Sequence, residues 1–319
     1  MNPNTILSKP SRILVTGATG FIGRHVARAL ANCGHKIVAL VRERPLSSVS
    51  QIGYEKVFVG DICDSNIQRD ALRNVDAVCH LAAHIPTHYD DPKEAERCYQ
   101  VNALATLRLA TRAIDLGIKQ FVYYSAGNMY SPLDRPCTEN DPVYPVRTAT
   151  YYMASKLAGE LYLSHVVNHT ETAATILRIG SPYGPGGPEQ QVVATFMRRA
   201  SRGEELHVRH GDSATYNLVY VEDVAWCTAH AIETRSSGIY NIAGTPSSLK
   251  ALAEAVRHVY QHREVTICVE PEQRDDFAGF PAMDIDKAQK AWGFEPTSLL
   301  DGLQAYRSFL TDDDPKNNK

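Results

Sequence analysis

Thr16-Gly17-Ala18-Thr19-Gly20-Phe21-Ile22-Gly23 follows directly on the short apolar run Arg12 to Thr16. Beyond it Ile22, Val26 and Leu30 recur at i, i+4 and i+8, the spacing of a helix's core stripe. The stretch therefore predicts a strand, a glycine turn and a helix in immediate succession. Glycines at such a junction permit close approach to the backbone, and free amides at a helix N-terminus attract negative charge. A plain turn from strand to helix needs one glycine rather than three. The spacing points to a loop that holds the pyrophosphate of a dinucleotide.

Working outward, Gly34-His35 turns the chain into a second strand, Lys36 to Val41. An NAD site usually carries an acid at the end of this strand, about 20 residues beyond the glycines, for the ribose 2′-hydroxyl. Val41 and Arg42 stand there instead, with Arg44 close by. An arginine pairs with a 2′-phosphate, so NADP is preferred. Glu43, a displaced acid for the ribose, keeps NAD as the alternative. Val57 to Ile62 reads as a third strand ending near an acid, Asp61, and Ala77 to Ala83 as a fourth. Leu104, Leu107 and Ala110 mark a helix returning to Phe121 to Ser125, and Ala173 to Arg178 supplies a further strand. This alternation is the pattern of an α/β, Rossmann-type fold with a doubly wound parallel sheet.

Composition changes at Ser181-Pro182-Tyr183-Gly184-Pro185-Gly186-Gly187-Pro188, where proline and glycine predict irregular chain. The expected organisation is a dinucleotide-binding domain over residues 1–180 and a smaller mixed C-terminal region over 181–319 that binds substrate, with returning elements free to join the main sheet. In that region helical patterns at Val192 to Arg202, Asp223 to Glu233 and Leu249 to Tyr260 alternate with short strands near Leu206 to Val208 and Ile239 to Ile242.

A loop with Pro132, Pro136, Pro142 and Pro145 leads into Tyr151-Tyr152-Met153-Ala154-Ser155-Lys156. Tyr152 and Lys156 stand at i and i+4, on one helix face. A free phenol titrates near ~10, but an adjacent ammonium favours its ionised form and makes it a usable proton donor or acceptor near neutrality. Such a pair suits hydride chemistry on an alcohol or ketone.

Of the 319 residues, 44% are hydrophobic and 22% charged, as in ordinary globular enzymes. A formal net charge of −3 provides no basic footprint for nucleic acid. No apolar run approaches the roughly 18 residues of a membrane span, and Met1 to Pro10 lacks the apolar core of a signal peptide. The seven cysteines are scattered without a Cys-x-x-Cys pair, which predicts reduced thiols, a cytoplasmic protein and no metal site.

Taken together, Thr16-Gly-x-x-Gly-x-x-Gly23, His80-Leu81-Ala82-Ala83, Tyr152-x-x-x-Lys156 and Leu177-Arg178-x-x-x-x-Tyr183-Gly184-Pro185-Gly186 make the chain resemble the extended short-chain dehydrogenase/reductases. More closely, it is similar to the NAD(P)-dependent epimerase/dehydratase family, which acts largely on nucleotide-activated sugars. Val101-Asn102, Val219 to Val224 and Tyr240-Asn241-Ile242 are weaker echoes of the same pattern. The resemblance implies that Gly17, Gly20, Phe21, Ile22 and Gly23 cradle the pyrophosphate, that Asp61 and Ile62 meet the adenine, and that Leu81, Ala82 and Ala83 run along the cofactor. It implies that Lys156 bonds the nicotinamide ribose and lowers the pKa of Tyr152, the acid/base. A homodimer is the expected assembly.

Several positions depart from the family pattern. Relatives place a serine or threonine four residues before the tyrosine aligned with Tyr130, where this chain has Ala126. A methyl donates no hydrogen bond, so Ser125 or Asn128 is left to hold the substrate oxygen, or Tyr152 works alone. Dehydratase relatives follow that hydroxyl with an Asp-Glu pair; Gly127 and Asn128 do no acid or base work here. Ser181 replaces a usual asparagine and Tyr216 a usual arginine, with Arg198, Arg199, Arg209 and Arg274 as substitutes for the lost cation. His84 and His88 follow the fourth strand, where an imidazole can serve as an extra acid or base, with His84 a candidate substrate contact. The functional expectation is an NAD(P)-dependent oxidoreductase or epimerase of a nucleotide-linked sugar. Reduction of a non-nucleotide ketone or alcohol is one alternative, and a dinucleotide-sensing binding protein with weakened catalysis is the other.

Overall fold

The computed structural model describes residues 10–43, 52–88, 91–143, 150–209, 214–270 and 279–312. Arg44, Pro145, Arg274 and both chain ends lie outside them. The chain begins β1 (Arg12–Thr16), α1 (Phe21–Asn32), β2 (Lys36–Val41), β3 (Lys56–Val59), α2 (Ser65–Ala71), β4 (Ala77–His80) and α3 (Pro92–Cys98). A π-helical turn, Tyr99–Leu104, joins α3 to α4 (Ala105–Asp115), followed by β5 (Gln120–Ala126), α5 (Thr150–Val166) and β6 (Ala173–Ile179). Then come β7 (Ser181–Tyr183), α6 (Val192–Ser201), β8 (Leu206–Val208), β9 (Thr215–Tyr216), β10 (Leu218–Tyr220) and α7 (Val221–Glu233). The last elements are β11 (Gly238–Ile242), β12 (Ser247–Ser248), α8 (Leu249–Val259), β13 (Ile267–Val269), α9 (Asp286–Trp292) and α10 (Leu299–Asp312).

Seven strands form one sheet in the order β11-β6-β5-β4-β1-β2-β3. The fold is thus the expected Rossmann-type, doubly wound parallel sheet. Strands β1, β2, β4 and β5 are almost continuously buried, as a sheet covered on both faces requires, whereas the edge strand β3 is largely exposed. Order reverses at β1, which pairs in parallel with β2 on one side and β4 on the other. The loops leaving β1 and β4 diverge at that point, and crevices of this kind bind ligands in open α/β sheets.

Two compact units result. The first comprises Met1–Met129, Tyr144–Arg178 and Ala225–Tyr240, the second Tyr130–Val143, Ile179–Val224 and Asn241–Lys319. In the first, Leu14, Val38, Val78, Leu109, Phe121, Tyr123 and Ile176 form the core. In the second, Phe196, Met197, Leu252, Val256 and Leu303 pack together around the parallel pairs β7–β10 and β8–β13. Its hub is Asn241, whose amide donates to the carbonyls of Cys137 and Asp284 at 2.9 Å each and accepts the Tyr130 hydroxyl at 2.6 Å.

Ser181 to Tyr183 corrects one expectation, because it pairs with Leu218 to Tyr220 instead of running irregularly. A two-stranded ribbon has open edges, where the missing amide of Pro182 is no loss. The third and fourth strands also end early, at Val59 and His80, leaving Asp61, Ile62 and Leu81 to Ala83 in the loops at the sheet's carboxyl edge. Among the described residues no helix is long and apolar enough to cross a membrane.

Candidate active site

The glycine loop is closed by its own backbone. Gly17 has φ +69° and donates to Leu40 O at 2.8 Å, while Gly20 donates to Gly17 O at 2.9 Å. A Cβ on Gly23 would lie 2.1 Å from Gly17 O, and one on Gly17 would lie 2.9 Å from the Ala82 amide nitrogen. Side chains are therefore excluded where the loop meets the start of α1. Helix α1 begins at Phe21 after Gly20, with no side chain capping its N-terminus. Bare backbone and free amides at the head of a twelve-residue helix fit a pyrophosphate.

Behind the loop runs a directed chain of buried hydrogen bonds. The Ala82 amide donates to Thr16 Oγ1 at 3.0 Å, and Thr16 Oγ1 lies 2.8 Å from His80 Nδ1. His80 Nε2 lies 2.9 Å from Thr106 Oγ1, which donates to Asn102 O at 2.8 Å. Because the Thr106 hydroxyl spends its proton on Asn102, it accepts from His80, so the imidazole is the Nε2–H tautomer and Nδ1 accepts from Thr16. Burial, helped by the nearby Lys156 charge, lowers His80 to about 3. The ring stays neutral and fixes the backbone of Ala82.

Asn102 sits in the π-helical turn and continues the network. Its side chain accepts the His84 amide at 2.7 Å and donates to His84 O and to Ser155 Oγ, each at 2.9 Å. Ser155 in turn donates to Tyr152 O at 2.7 Å. The chain after β4 and the first turns of α5 are thereby tied through one amide group. Single-turn π segments of this kind recur at functional sites.

On α5, Tyr152 is half-buried and Lys156 fully buried. The Lys156 ammonium lies 4.4 Å from the centroid of the Tyr123 ring, a cation–π contact. Burial lowers Lys156 to about 7, with Glu160 opposing the shift. One turn on, Glu160 forms a bidentate pair with Arg178 of β6, with 2.8 Å between the Arg178 guanidinium and Oε2 and both side chains at 5% exposure or less. Arg178 of the motif is thus engaged in anchoring α5 to the sheet.

Strand alternation sorts the residues near Tyr152. Phe121, Tyr123 and Ser125 share one face of β5, the face against which Lys156 packs. Tyr124 and Ala126 share the other, where the Tyr124 hydroxyl is hydrogen-bonded to Thr228 at 2.7 Å. Ser125 Oγ is buried without a hydrogen-bond partner among the described residues. Asn128 is half-buried in the turn beyond the strand. His84 is half-buried and its Nε2 is hydrogen-bonded to Glu94 of α3.

The remaining predicted residues follow the carboxyl ends of β2, β3 and β4. Ile62 is buried in the core of the first unit. Asp61 accepts the Cys63 amide at 2.8 Å and the Arg97 guanidinium at 2.8 Å; burial opposes ionisation, but these bonds hold its carboxyl below the usual range. Arg42 directly follows β2 with its side chain 80% exposed and Glu43 3.9 Å away. Leu81 and Ala82 are half-buried and Ala83 is exposed. Sequence reading misses Thr106, Glu94 and Arg97, and it quotes His80 in a motif without giving its side chain a role. For His80 a signal existed, since an imidazole inside the apolar run Ala77-Val78-Cys79-His80-Leu81 needs buried partners.

Comparison with known proteins agrees with this geometry. The model of the NAD dependent epimerase/dehydratase family matches residues 13–243. The low-salt glycan biosynthesis protein Agl12 of Haloferax volcanii is 30% identical over 95% of this chain and 99% of its own length. A dTDP-4-dehydro-6-deoxy-D-allose reductase of a Streptomyces species is 27% identical over 92% of this chain and 94% of its own. The solved structure of MoeE5 in complex with UDP-glucose and NAD superposes with a TM-score of 0.80 at 26% identity, covering 94% of this chain and 99% of that one. This chain belongs to the NAD dependent epimerase/dehydratase family and is an enzyme of the extended short-chain dehydrogenase/reductase type.

Proposed function

We propose that the protein is an NAD(P)-dependent oxidoreductase or epimerase acting on a nucleotide-linked sugar, with Tyr152 as acid/base. The observation that carries this reading is the buried Lys156 ammonium, one helical turn from Tyr152 and packed on Tyr123. A positive charge beside a phenol favours its ionised form, and α5 holds the two groups on one face. Similarity to a dTDP-sugar reductase and to a structure holding UDP-glucose supports the substrate class.

The glycine loop with Phe21 and Ile22 would hold the pyrophosphate, Asp61 and Ile62 the adenine, and Lys156 the nicotinamide ribose, with Leu81 to Ala83 alongside. When bound, the cofactor supplies a reversible hydride acceptor. Tyr152 then takes or returns the proton of the substrate hydroxyl. Ser125, whose hydroxyl faces the Lys156 side of β5, positions the substrate oxygen in place of the side chain missing at Ala126. Arg42 favours NADP over NAD, because its exposed guanidinium stands where a ribose acid is otherwise expected.

Replacing Tyr152 by phenylalanine tests the reading. Turnover of UDP-glucose or a dTDP-4-ketosugar should fall by about a thousandfold, while cofactor binding, followed by fluorescence, survives. Full retained turnover would refute the role of Tyr152. Tyr216, which packs edge-on against Phe280 with centroids 5.8 Å apart where relatives carry an arginine, favours a second reading in which the substrate is a ketone or alcohol without a diphosphate. A thermal shift with UDP- or dTDP-sugars decides against that reading; its absence decides for it.

A further inference from the structure

We propose that His84 and Glu94 form a second acid–base centre beside Tyr152, in which His84 Nδ1 exchanges a proton with the carbon next to the ketone of a nucleotide-linked 4-ketosugar. The inference rests on the nucleotide-sugar reading above. Three observations lead to it. His84 lies in the loop at the carboxyl edge of the sheet, four residues past the end of β4, and its amide and carbonyl are both bonded to the Asn102 side chain, at 2.7 and 2.9 Å. The same amide group bonds Ser155, which bonds the backbone of Tyr152, so His84 is built into the framework that places the proton relay. Glu94 of α3 takes His84 Nε2, with side-chain exposures of 22% and 23%.

That contact sets the direction of the chemistry. A carboxylate accepts, so Nε2 carries the proton and Nδ1 keeps its lone pair. No bond to Nδ1 is formed by any described residue. A histidine backed by a carboxylate is an orientated base, whose partner also offsets the charge of the imidazolium once formed. Tyr152 and Lys156 already serve the substrate oxygen, and Gly127 and Asn128 have no acid or base to offer. A proton on carbon is the one left without a carrier.

In the step itself, His84 Nδ1 takes the proton from the carbon adjacent to the ketone. The C–H electron pair becomes the C=C bond of an enolate, and the negative charge passes to the ketone oxygen, beside the Tyr152 hydroxyl. Return of a proton from Nδ1 to the same carbon restores the ketone. No oxidant or reductant enters, so the step is separable from hydride transfer.

The experiment incubates the holoprotein with dTDP-4-dehydro-6-deoxy-D-glucose in D2O and follows incorporation of deuterium by mass spectrometry. Wild-type protein should accelerate exchange over buffer, and His84→Gln should slow it by about a hundredfold. Glu94→Gln, which retains a hydrogen-bonding side chain, should lower the rate at saturating sugar about tenfold without moving the half-saturating concentration. Equal Tm values for the three proteins exclude a folding effect. Exchange unchanged in His84→Gln overturns the proposal, as does wild-type protein that binds the ketosugar and does not exchange it. Protein that does not bind the ketosugar but shows a thermal shift with UDP-glucose overturns this proposal alone, and protein that binds neither overturns the nucleotide-sugar reading as well.

Discussion

Thr16 and His80 face each other across β1 and β4, with the Thr16 hydroxyl 2.8 Å from His80 Nδ1. Through this contact the residue preceding the glycine loop and the loop after β4 are held as one unit. Thr16→Val preserves shape but leaves His80 Nδ1 and the Ala82 amide without their partner. Stranding a buried polar group costs about 1–3 kcal/mol. The urea midpoint should fall accordingly with no change in m, and an unchanged midpoint would show that the threonine hydroxyl is dispensable.

Lys156 makes stability depend on pH in an uncommon direction. Burial lowers its folded-state pKa to about 7, whereas an unfolded lysine titrates near ~10.4. Between those values the unfolded chain binds a proton that the folded chain has released. Stability therefore rises with pH across that window, and this contribution is lost as pH falls through about 7. Urea titrations of the apoprotein at successive pH values should show wild type gaining on Lys156→Met by up to about 1.4 kcal/mol per pH unit. Parallel curves would contradict it.

The Glu160–Arg178 pair is almost wholly shielded from water. Removing one partner leaves a buried charge uncompensated, so Glu160→Gln should destabilise by about 3–5 kcal/mol. The double replacement Glu160→Met with Arg178→Met removes both charges and should recover much of that loss. A double variant weaker than either single one would mean that the ions contribute beyond mutual neutralisation.

For Arg42 the expected effect is on cofactor choice. Charge-assisted bonds to phosphate are worth about 1.5–3 kcal/mol, so Arg42→Ala should weaken NADPH binding by at least about tenfold and leave NADH binding nearly unchanged. Fluorescence titration of both reduced cofactors measures the ratio. Equal losses for the two would assign Arg42 no role at the 2′-position.

Much of the architecture was legible in the residues. The ends of β1 and β2 fall where the apolar runs end, because burial on both faces makes those runs continuous. Ile62 and Leu81 extend similar runs beyond the last paired residue, so apolar pattern alone overshoots β3 and β4. Tyr152 and Lys156 announced themselves by spacing within a single helix. Glu160 and Arg178 did not, being 18 positions apart on different elements. The role of Asn102 depends on a π-helical turn that no periodicity encodes. Likewise the pairing of His84 with Glu94 required α3, whose start is marked by Asp91 capping the amide of Lys93 and by Pro92 in the first turn, signals that do not show which residue Glu94 meets.

The division of the chain carries a last consequence, for how the molecule is made. The backbone passes between the two units after residues 129, 143, 178, 224 and 240. The edge strand β11, which completes the seven-stranded sheet, begins only at Gly238. Emerging from the ribosome, the nascent chain has produced the glycine loop, the helix that carries Tyr152 and Lys156, and two of the three segments of the second unit before that strand exists. Neither unit is therefore a cassette that recombination can transplant or that truncation can release, and the sheet behind the site is finished only once β11 has been made.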